Sequence, residues 1–341
     1  MKVLLTGGAG YIGSNVLLAL RDSGYETLIL DNFCNSSEER LRAFGKFIGS
    51  NLNYVKSDIR SIEELRKVFS QHEIESVIHL AGLKSVSESI DNPNLYYENN
   101  VIGSKNLLSI MSEFAVNKLI FSSSATVYGN PNILPIPEEH QLKPMNNYGQ
   151  TKLEVENLIS EFVNNNNNFQ AISLRYFNPV GSGLMNNLGE FILGIPSNLM
   201  PIINLNAFGH MNEFNIYGDD YATHDGSAMR DFIHISDLAQ AHVSALNFIL
   251  DSDLKSHEAI NIGTGAGVTV KEIISCFEDV NSVKLKFKIS KRRAGDIEAS
   301  IASPRKAKQM LGWSSSYSLE DMCVSAFNFY KKHPNAINLK C

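Results

Sequence analysis

The chain has 341 residues, 43% apolar and 19% charged, which suits a packed globular protein and argues against a disordered one. Thirty Lys and Arg against 36 Asp and Glu give a net charge of −6, so the surface exerts no global pull on nucleic acid or acidic lipid. No run of about 18 uninterrupted apolar residues exists to span a membrane, and Met1 to Gly7 lacks the apolar region of a signal peptide. The four cysteines, Cys34, Cys276, Cys323 and Cys341, form no C-x-x-C pair, and the histidines form no i,i+4 ligand pair. Free thiols in a reducing cytoplasm and no metal are therefore expected.

The N-terminal half alternates short apolar runs with amphipathic ones. A strand over 3–5 leads to a helix over 11–23, and a strand over 27–31 to a helix over 37–48. A strand over 53–55 precedes a helix over 61–71, opened by a capping box of Ser61 and Glu64. Then come a strand over 76–80, a long helix over 95–115, a strand over 118–122, a helix over 148–163 and a strand over 171–176. The five asparagines at 164–168 read as a solvated loop. Such alternation predicts an α/β fold with a doubly wound, Rossmann-like parallel sheet. The expected division is residues 1–177 for the nucleotide-binding part and 178–341 for a smaller mixed lobe. The second part should return a strand to the sheet within 230–263, near 259–263.

Thr6 to Gly13 follows the first strand and opens the first helix, and Gly8, Gly10 and Gly13 satisfy G-x-G-x-x-G, as Gly7, Gly10 and Gly13 satisfy G-x-x-G-x-x-G. Glycine is needed there to turn the chain, to let a pyrophosphate approach the backbone and to pack helix on strand. The free N–H groups at the helix start then bind the anion. Asp31 ends the second strand, where a carboxylate accepts from ribose hydroxyls and repels a 2′-phosphate, so the expected cofactor is NAD. Asp58 is either a partner for the adenine edge or a helix N-terminal acid.

Tyr148 and Lys152 stand at i and i+4, on one face of a helix. A free phenol titrates near ~10, so a tyrosine base needs an ammonium and a cationic nicotinamide ring beside it. Ser124 leaves the end of a strand at the carboxyl edge of the sheet, where it can hydrogen-bond an oxygen being oxidised.

With those residues in place, the chain resembles the extended short-chain dehydrogenase/reductases, and among them the UDP-glucose 4-epimerases. The matching pieces include Asp31 to Ser36, Asp58-Ile59-Arg60, His79 to Lys84, Tyr97 to Asn100, Ser122 to Gly129, Arg175 to Gly181, Gly194 to Pro201, Arg230 to His234 and Arg292 to Asp296. The resemblance implies oxidation of a UDP-hexose at C4 and return of hydride to the opposite face, with Tyr148 as base, Lys152 lowering its pKa and Ser124 bonding the 4-oxygen. It implies a cofactor lining of Gly7, Gly10, Tyr11, Ile12, Gly13, Asp31, Asn32, Cys34, Asn35, Ser36, Asp58, Ile59, Leu80, Ala81, Gly82, Lys84, Asn99, Ser124, Tyr148, Lys152 and Phe177. The implied substrate groups are Lys84, Ser124, Tyr148, Asn178, Asn198, Leu199, Asn215, Ile216, Tyr217, Arg230, Arg293, Asp296 and Ser300. Arginine forks match a diphosphate. Four residues past Asp296, where the family borders the sugar C2 substituent, a small Ser300 leaves room for an acetamido group. The resemblance further implies a homodimer through the helices over 95–115 and 148–163. Two other readings are a 4,6-dehydratase or decarboxylase of the same superfamily, and an NAD-sensing protein without catalysis. Dehydration needs an acid and base where this chain has Ala125-Thr126.

Overall fold

The computed structural model describes residues 1–339 except Asp253 and Ala294, so Cys341 lies outside the described residues. The nucleotide-binding half runs β1 (Lys2–Thr6), α1 (Tyr11–Asp22), β2 (Glu26–Asp31), α2 (Glu38–Phe47), β3 (Asn53–Lys56), α3 (Ile62–Gln71) and β4 (Ser76–His79). It continues through α4 (Val86–Asp91), α5 (Pro93–Tyr96), α6 (Gly103–Glu113), β5 (Lys118–Ser124), α7 (Asn147–Asn165) and β6 (Gln170–Tyr176). The sheet order is β3-β2-β1-β4-β5-β6, and a seventh strand, His257–Ile262, completes it beside β6. Every pairing in this sheet is parallel. The strand order reverses between β1 and β4, which opens a ligand crevice at their carboxyl ends.

Both faces of the sheet are covered, so its strands read as continuous apolar runs. On one face Val16, Leu17 and Leu20 of α1 share a core with Leu238, Ala241 and Leu246 of the helix Ile235–Asp251. On the other, Leu65, Leu108 and Ile159 bring in α3, α6 and α7. A third core, with Ile203, Phe214, Ile273 and Phe277, sits in the second half.

Three local expectations are corrected. The helix expected over 95–115 is broken into α5, a π-helical stretch Tyr97–Ile102 and α6. A Cβ on Gly103 would stand 2.6 Å from Ile59 Cδ1, so the wide turn delivers a glycine where α6 meets Ile59. α4 was not expected; Ser85 caps it by accepting from the Glu88 N–H. At α3 the capping box is half made. Ser61 accepts from the Glu64 N–H, but the Glu64 carboxylate accepts instead from the Asp58 N–H at 2.9 Å. The asparagine run ends α7, with Asn166 as its C-cap.

Candidate active site

The glycine cradle is built as the chemistry demands. Gly7 has φ +69°, and a Cβ there would meet the Ala81 N at 2.7 Å. A Cβ on Gly13 would meet the Gly7 carbonyl oxygen at 2.3 Å, so this glycine lets α1 close on the turn. On Gly10 the nearest atom would be 3.4 Å away, leaving that face open to a ligand. α1 starts at Gly10 with no side-chain cap and no acid in its first turn, so its N–H groups face the crevice uncompeted. This donor set fits a dinucleotide pyrophosphate.

Asp31 is nearly buried. It accepts from the Ala9 N–H at 3.0 Å, the Phe33 N–H at 2.9 Å and the Ser36 hydroxyl at 3.0 Å. Roughly four acceptor directions exist on a carboxylate, so most are spent holding the loop, and little more than one remains for a ribose. Asp58 accepts from Asn32 at 2.9 Å and from Arg60 at 2.7 Å, and the Arg60 guanidinium holds its carboxyl down to about 2. Its backbone N–H also bonds Glu64, so this acid ties the β2 loop to the start of α3.

Ser124, Tyr148 and Lys152 converge at the carboxyl edge of β5. Ser124 Oγ accepts from the Thr126 N–H at 3.2 Å and the Thr126 hydroxyl at 2.9 Å. With its lone pairs so engaged, its own proton points outward as a donor. Asn146 caps α7 by accepting from the Gly149 N–H, and this fixes the helix start under Tyr148. Lys152 is buried and donates to the Ser122 carbonyl at 2.7 Å, with its ammonium 5.8 Å from the Tyr148 ring centre. Burial pushes the Tyr148 phenol up to about 12, against a downward pull from its hydrogen bond with Ser124. Burial pushes the Lys152 ammonium down to about 8, against an upward pull from Glu156. Against expectation, Lys152 adds no downward pull on the Tyr148 phenol in this arrangement. Desolvation dominates, and the lysine is turned to a backbone carbonyl.

The second half presents a charged cluster. The strand Met229–Arg230 pairs in parallel with Ala299–Ser300, with Arg230 opposite Ser300. Arg293 makes a two-pronged contact with Asp296, at 2.9 and 3.2 Å, and lies 4.6 Å over the Tyr217 ring. Arg230 donates to the Met229 carbonyl at 2.8 Å, and burial depresses its pKa against an opposing pull from Asp296. Phe177 packs with Val127, Tyr128 and Ala302, which joins this cluster to the end of β5. Asn178 follows directly, and its N–H donates to the Asp231 carbonyl at 3.0 Å.

The sequence profile of the GDP-mannose 4,6 dehydratase family matches residues 4–326. The chain is 42% identical to a bifunctional UDP-glucose 4-epimerase and UDP-xylose 4-epimerase of Pisum sativum, over 98% of this chain and 96% of that protein. The crystal structure of a UDP-glucose-4-epimerase from Stenotrophomonas maltophila, with bound NAD and formylated UDP-arabinopyranose, superposes with a TM-score of 0.95 at 41% identity, covering 98% and 99%. That of the UDP-Glc/GlcNAc 4-epimerase of Campylobacter jejuni superposes with a TM-score of 0.84 at 33% identity, covering 97% and 99%. The chain belongs to the UDP-glucose 4-epimerase family. Residues Ala125–Tyr128 form a 3-10 turn with no carboxylate directly after Ser124, so this epimerase-family member lacks the acid and base a dehydratase needs there.

Several residues expected from the epimerase pattern sit elsewhere. Ile216 points into the second-half core, and Ile59 into the core beneath the π-helical stretch, so neither presents a side chain to a pocket. In the strand Phe214–Tyr217 it is Asn215 and Tyr217 that alternate outward, and Asn215 accepts from Ser290 at 2.9 Å. Lys84 is held by Glu190 at 2.6 Å. Asn198 stands exposed at the N-cap of the helix Leu199–Ala207 without capping it, and Leu199 packs on the lobe core. Cys34 and Asn35 lie on the exposed rim of the β2 loop, Leu80 and Ala81 stand against Gly7, Gly82 lies beside Asn100 and Lys152, and Tyr11 and Ile12 open α1. Asn99 is buried in the π-helical stretch. Its neighbour Asn100, the last residue of the matching piece Tyr97 to Asn100, had no role expected of it. Its amide brackets Leu83 from both backbone sides, at 2.8 and 3.0 Å, and donates to Thr151 at 3.1 Å, fixing the β4 loop to α7. Tyr221, against Arg292 and close to Arg230 and Asp296, had no local signal either.

Proposed function

We propose that this chain interconverts UDP-glucose and UDP-galactose by transient oxidation at C4, with NAD held throughout. The observation that carries this reading is the meeting of Ser124, Tyr148 and Lys152 beside the glycine cradle, with no carboxylate directly after the serine. NAD, when bound, supplies the acceptor and then the donor of hydride at that carbon. Tyr148 takes the 4-hydroxyl proton and later returns it, while Ser124 donates to the 4-oxygen. A phenol at about 12 is protonated at neutral pH, so the positive nicotinamide and a reoriented Lys152 bring it into range. Arg230 and Arg293 take the diphosphate, for which Arg293 exchanges Asp296 for phosphate oxygens. The test is a coupled assay with UDP-galactose and no added cofactor, followed by denaturation and identification of the released dinucleotide. Turnover with NAD released is expected. Mostly NADP would overturn the reading of Asp31, and NAD without turnover would leave a sensor.

We further propose that the site also accepts N-acetylated sugars. Ser300 is 7% exposed on the strand that pairs with Met229–Arg230, and its small side chain supports room for an acetamido group at the sugar C2 position. We expect UDP-N-acetylglucosamine and UDP-N-acetylgalactosamine to interconvert at rates comparable to the plain pair. Ser300→Tyr should suppress the N-acetylated reaction selectively, since interiors are close-packed and a pocket made too small is penalised sharply. Equal loss of both activities in an assay of the four sugars would sink this reading.

The homodimer expected from the resemblance is supported by apolar side chains left exposed on α4, α5 and the π-helical stretch: Ile90, Leu95, Tyr97 and Ile102. Sedimentation velocity should show a dimer at micromolar concentration, and a monomer there would refute it. The free thiols Cys34, Cys276 and Cys323 support placing the enzyme in a reducing cytoplasm.

A further inference from the structure

Residues 181–191 leave the second half and run along α1, held there by both halves. The Tyr11 hydroxyl donates to the Gly181 carbonyl at 2.8 Å, and the Asn15 amide to the Leu188 carbonyl at 3.1 Å. Behind, Tyr330 donates to the Glu190 carbonyl at 2.7 Å, and Phe191 meets the Phe329 ring edge-on at 5.5 Å. In front, two neighbours reach opposite walls of the crevice. Glu190 pairs with Lys84, from the loop after β4. Phe191 lies under the Arg40 guanidinium, 3.8 Å from the ring centre, on the first turn of α2. Arg40 follows the Asp31–Ser36 loop, on the adenosine side, and Lys84 stands on the other side of β1. The start of α1, where a pyrophosphate would sit, lies between them.

We propose that Glu190 and Phe191 form a clasp across the dinucleotide crevice, and that the stacking of Arg40 on Phe191 slows release of the cofactor. This rests on the NAD-dependent epimerase reading, in which hydride returns to the same sugar and the dinucleotide stays through both half-reactions. A carboxylate and a ring from the second half, tied to cations on both walls, stand across the crevice. The Arg40 contact is the separable one, because neither Arg40 nor Phe191 is expected to touch cofactor or substrate, whereas Lys84 is.

The experiment is a double-mutant cycle on NAD release, read by dilution of the holoenzyme loaded with labelled NAD into excess unlabelled NAD. An exposed-to-partly-buried cation–π contact corresponds to a factor of about fivefold, so Arg40→Gln and Phe191→Leu should each speed release by about that much. The double variant should release no faster than the singles, because both remove one contact. Arg40→Lys, which keeps the cation, should restore most of the slow release, and turnover with saturating NAD should stay near wild type in every variant. Wild-type release in both single variants, or effects that multiply in the double, would overturn the clasp. A wild-type protein that carries no NAD would overturn the underlying reading as well, whereas NAD-bound, active protein with unaltered variants would overturn the clasp alone.

Discussion

Tyr148→Phe is expected to lower turnover by at least about 10²-fold and as much as about 10⁴-fold, the range of a positioned proton-transfer group. The phenol is the group on the α7 face that hydrogen-bonds Ser124 and lies beside the Lys152 ammonium. Phenylalanine keeps the ring and its contacts and removes only the oxygen. Stability should change by about 1 kcal/mol, the net worth of one hydrogen bond, so the loss of rate cannot come from unfolding. NAD content should be unchanged, because the cradle, Asp31 and the clasp lie on other elements. The sharper reading is in pH. Burial pushes the phenol up to about 12, so the oxidative half-reaction in wild type should quicken as pH rises toward the pKa that a bound cofactor imposes. That limb should vanish in Tyr148→Phe. A variant keeping more than about a tenth of wild-type turnover would remove Tyr148 from the role of base.

The parts legible in the sequence are those where one local rule decides. Gly7, Gly10 and Gly13 declared the cradle, because only glycine tolerates the approaches of 2.3 to 2.7 Å found at Gly7 and Gly13. The parallel sheet followed from its buried apolar strands, and the return strand at His257–Ile262 lay within the expected segment. The parts that stayed hidden depend on tertiary context. An i,i+4 pattern cannot distinguish an α-helix from one with a π-helical insert, and the break at Tyr97–Ile102 goes with a tertiary contact, the Asn100 amide bracketing Leu83. Sequence placed Lys152 next to Tyr148 but could not say where its ammonium points. The Ser122 carbonyl, thirty residues away, decides that. Glu190 and Phe191 carry no motif, and their meaning comes from Lys84 and Arg40, on separate loops.

Acidification from pH 7.5 to 5.5 is expected to cost about 4 kcal/mol of folding stability, through three histidines buried in neutral form. His79, His234 and His242 are each at most 2% exposed. Burial pushes His79 down to about 3, and His234 and His242 down to about 4. Their hydrogen bonds agree with neutral rings. His234 Nδ1 accepts from the Ser236 N–H at 3.1 Å, leaving Nε2 to donate to Ser325 at 3.0 Å, so a second ring proton would face an N–H. His242 Nδ1 donates to the Leu238 carbonyl at 2.8 Å while Nε2 accepts from Tyr176. Unfolding releases each ring to titrate near ~6.5. Between that value and the folded ones the unfolded chain holds more protons, so stability falls as pH falls through 6.5. At pH 5.5 each ring contributes a loss of a little over about 1 kcal/mol relative to pH 7.5. His257 shifts the same way but is only half-buried, so water screens its contribution. Asp58, held at about 2, retains its stabilisation throughout, because that is lost only as pH falls below the ordinary carboxylate range. With an unfolding entropy of about 2 cal/mol/K per residue, the melting midpoint should drop by about 6 °C. Scanning calorimetry of the NAD-loaded enzyme at the two pH values measures it, and a midpoint unchanged between them would mean that these rings accept protons in the folded state.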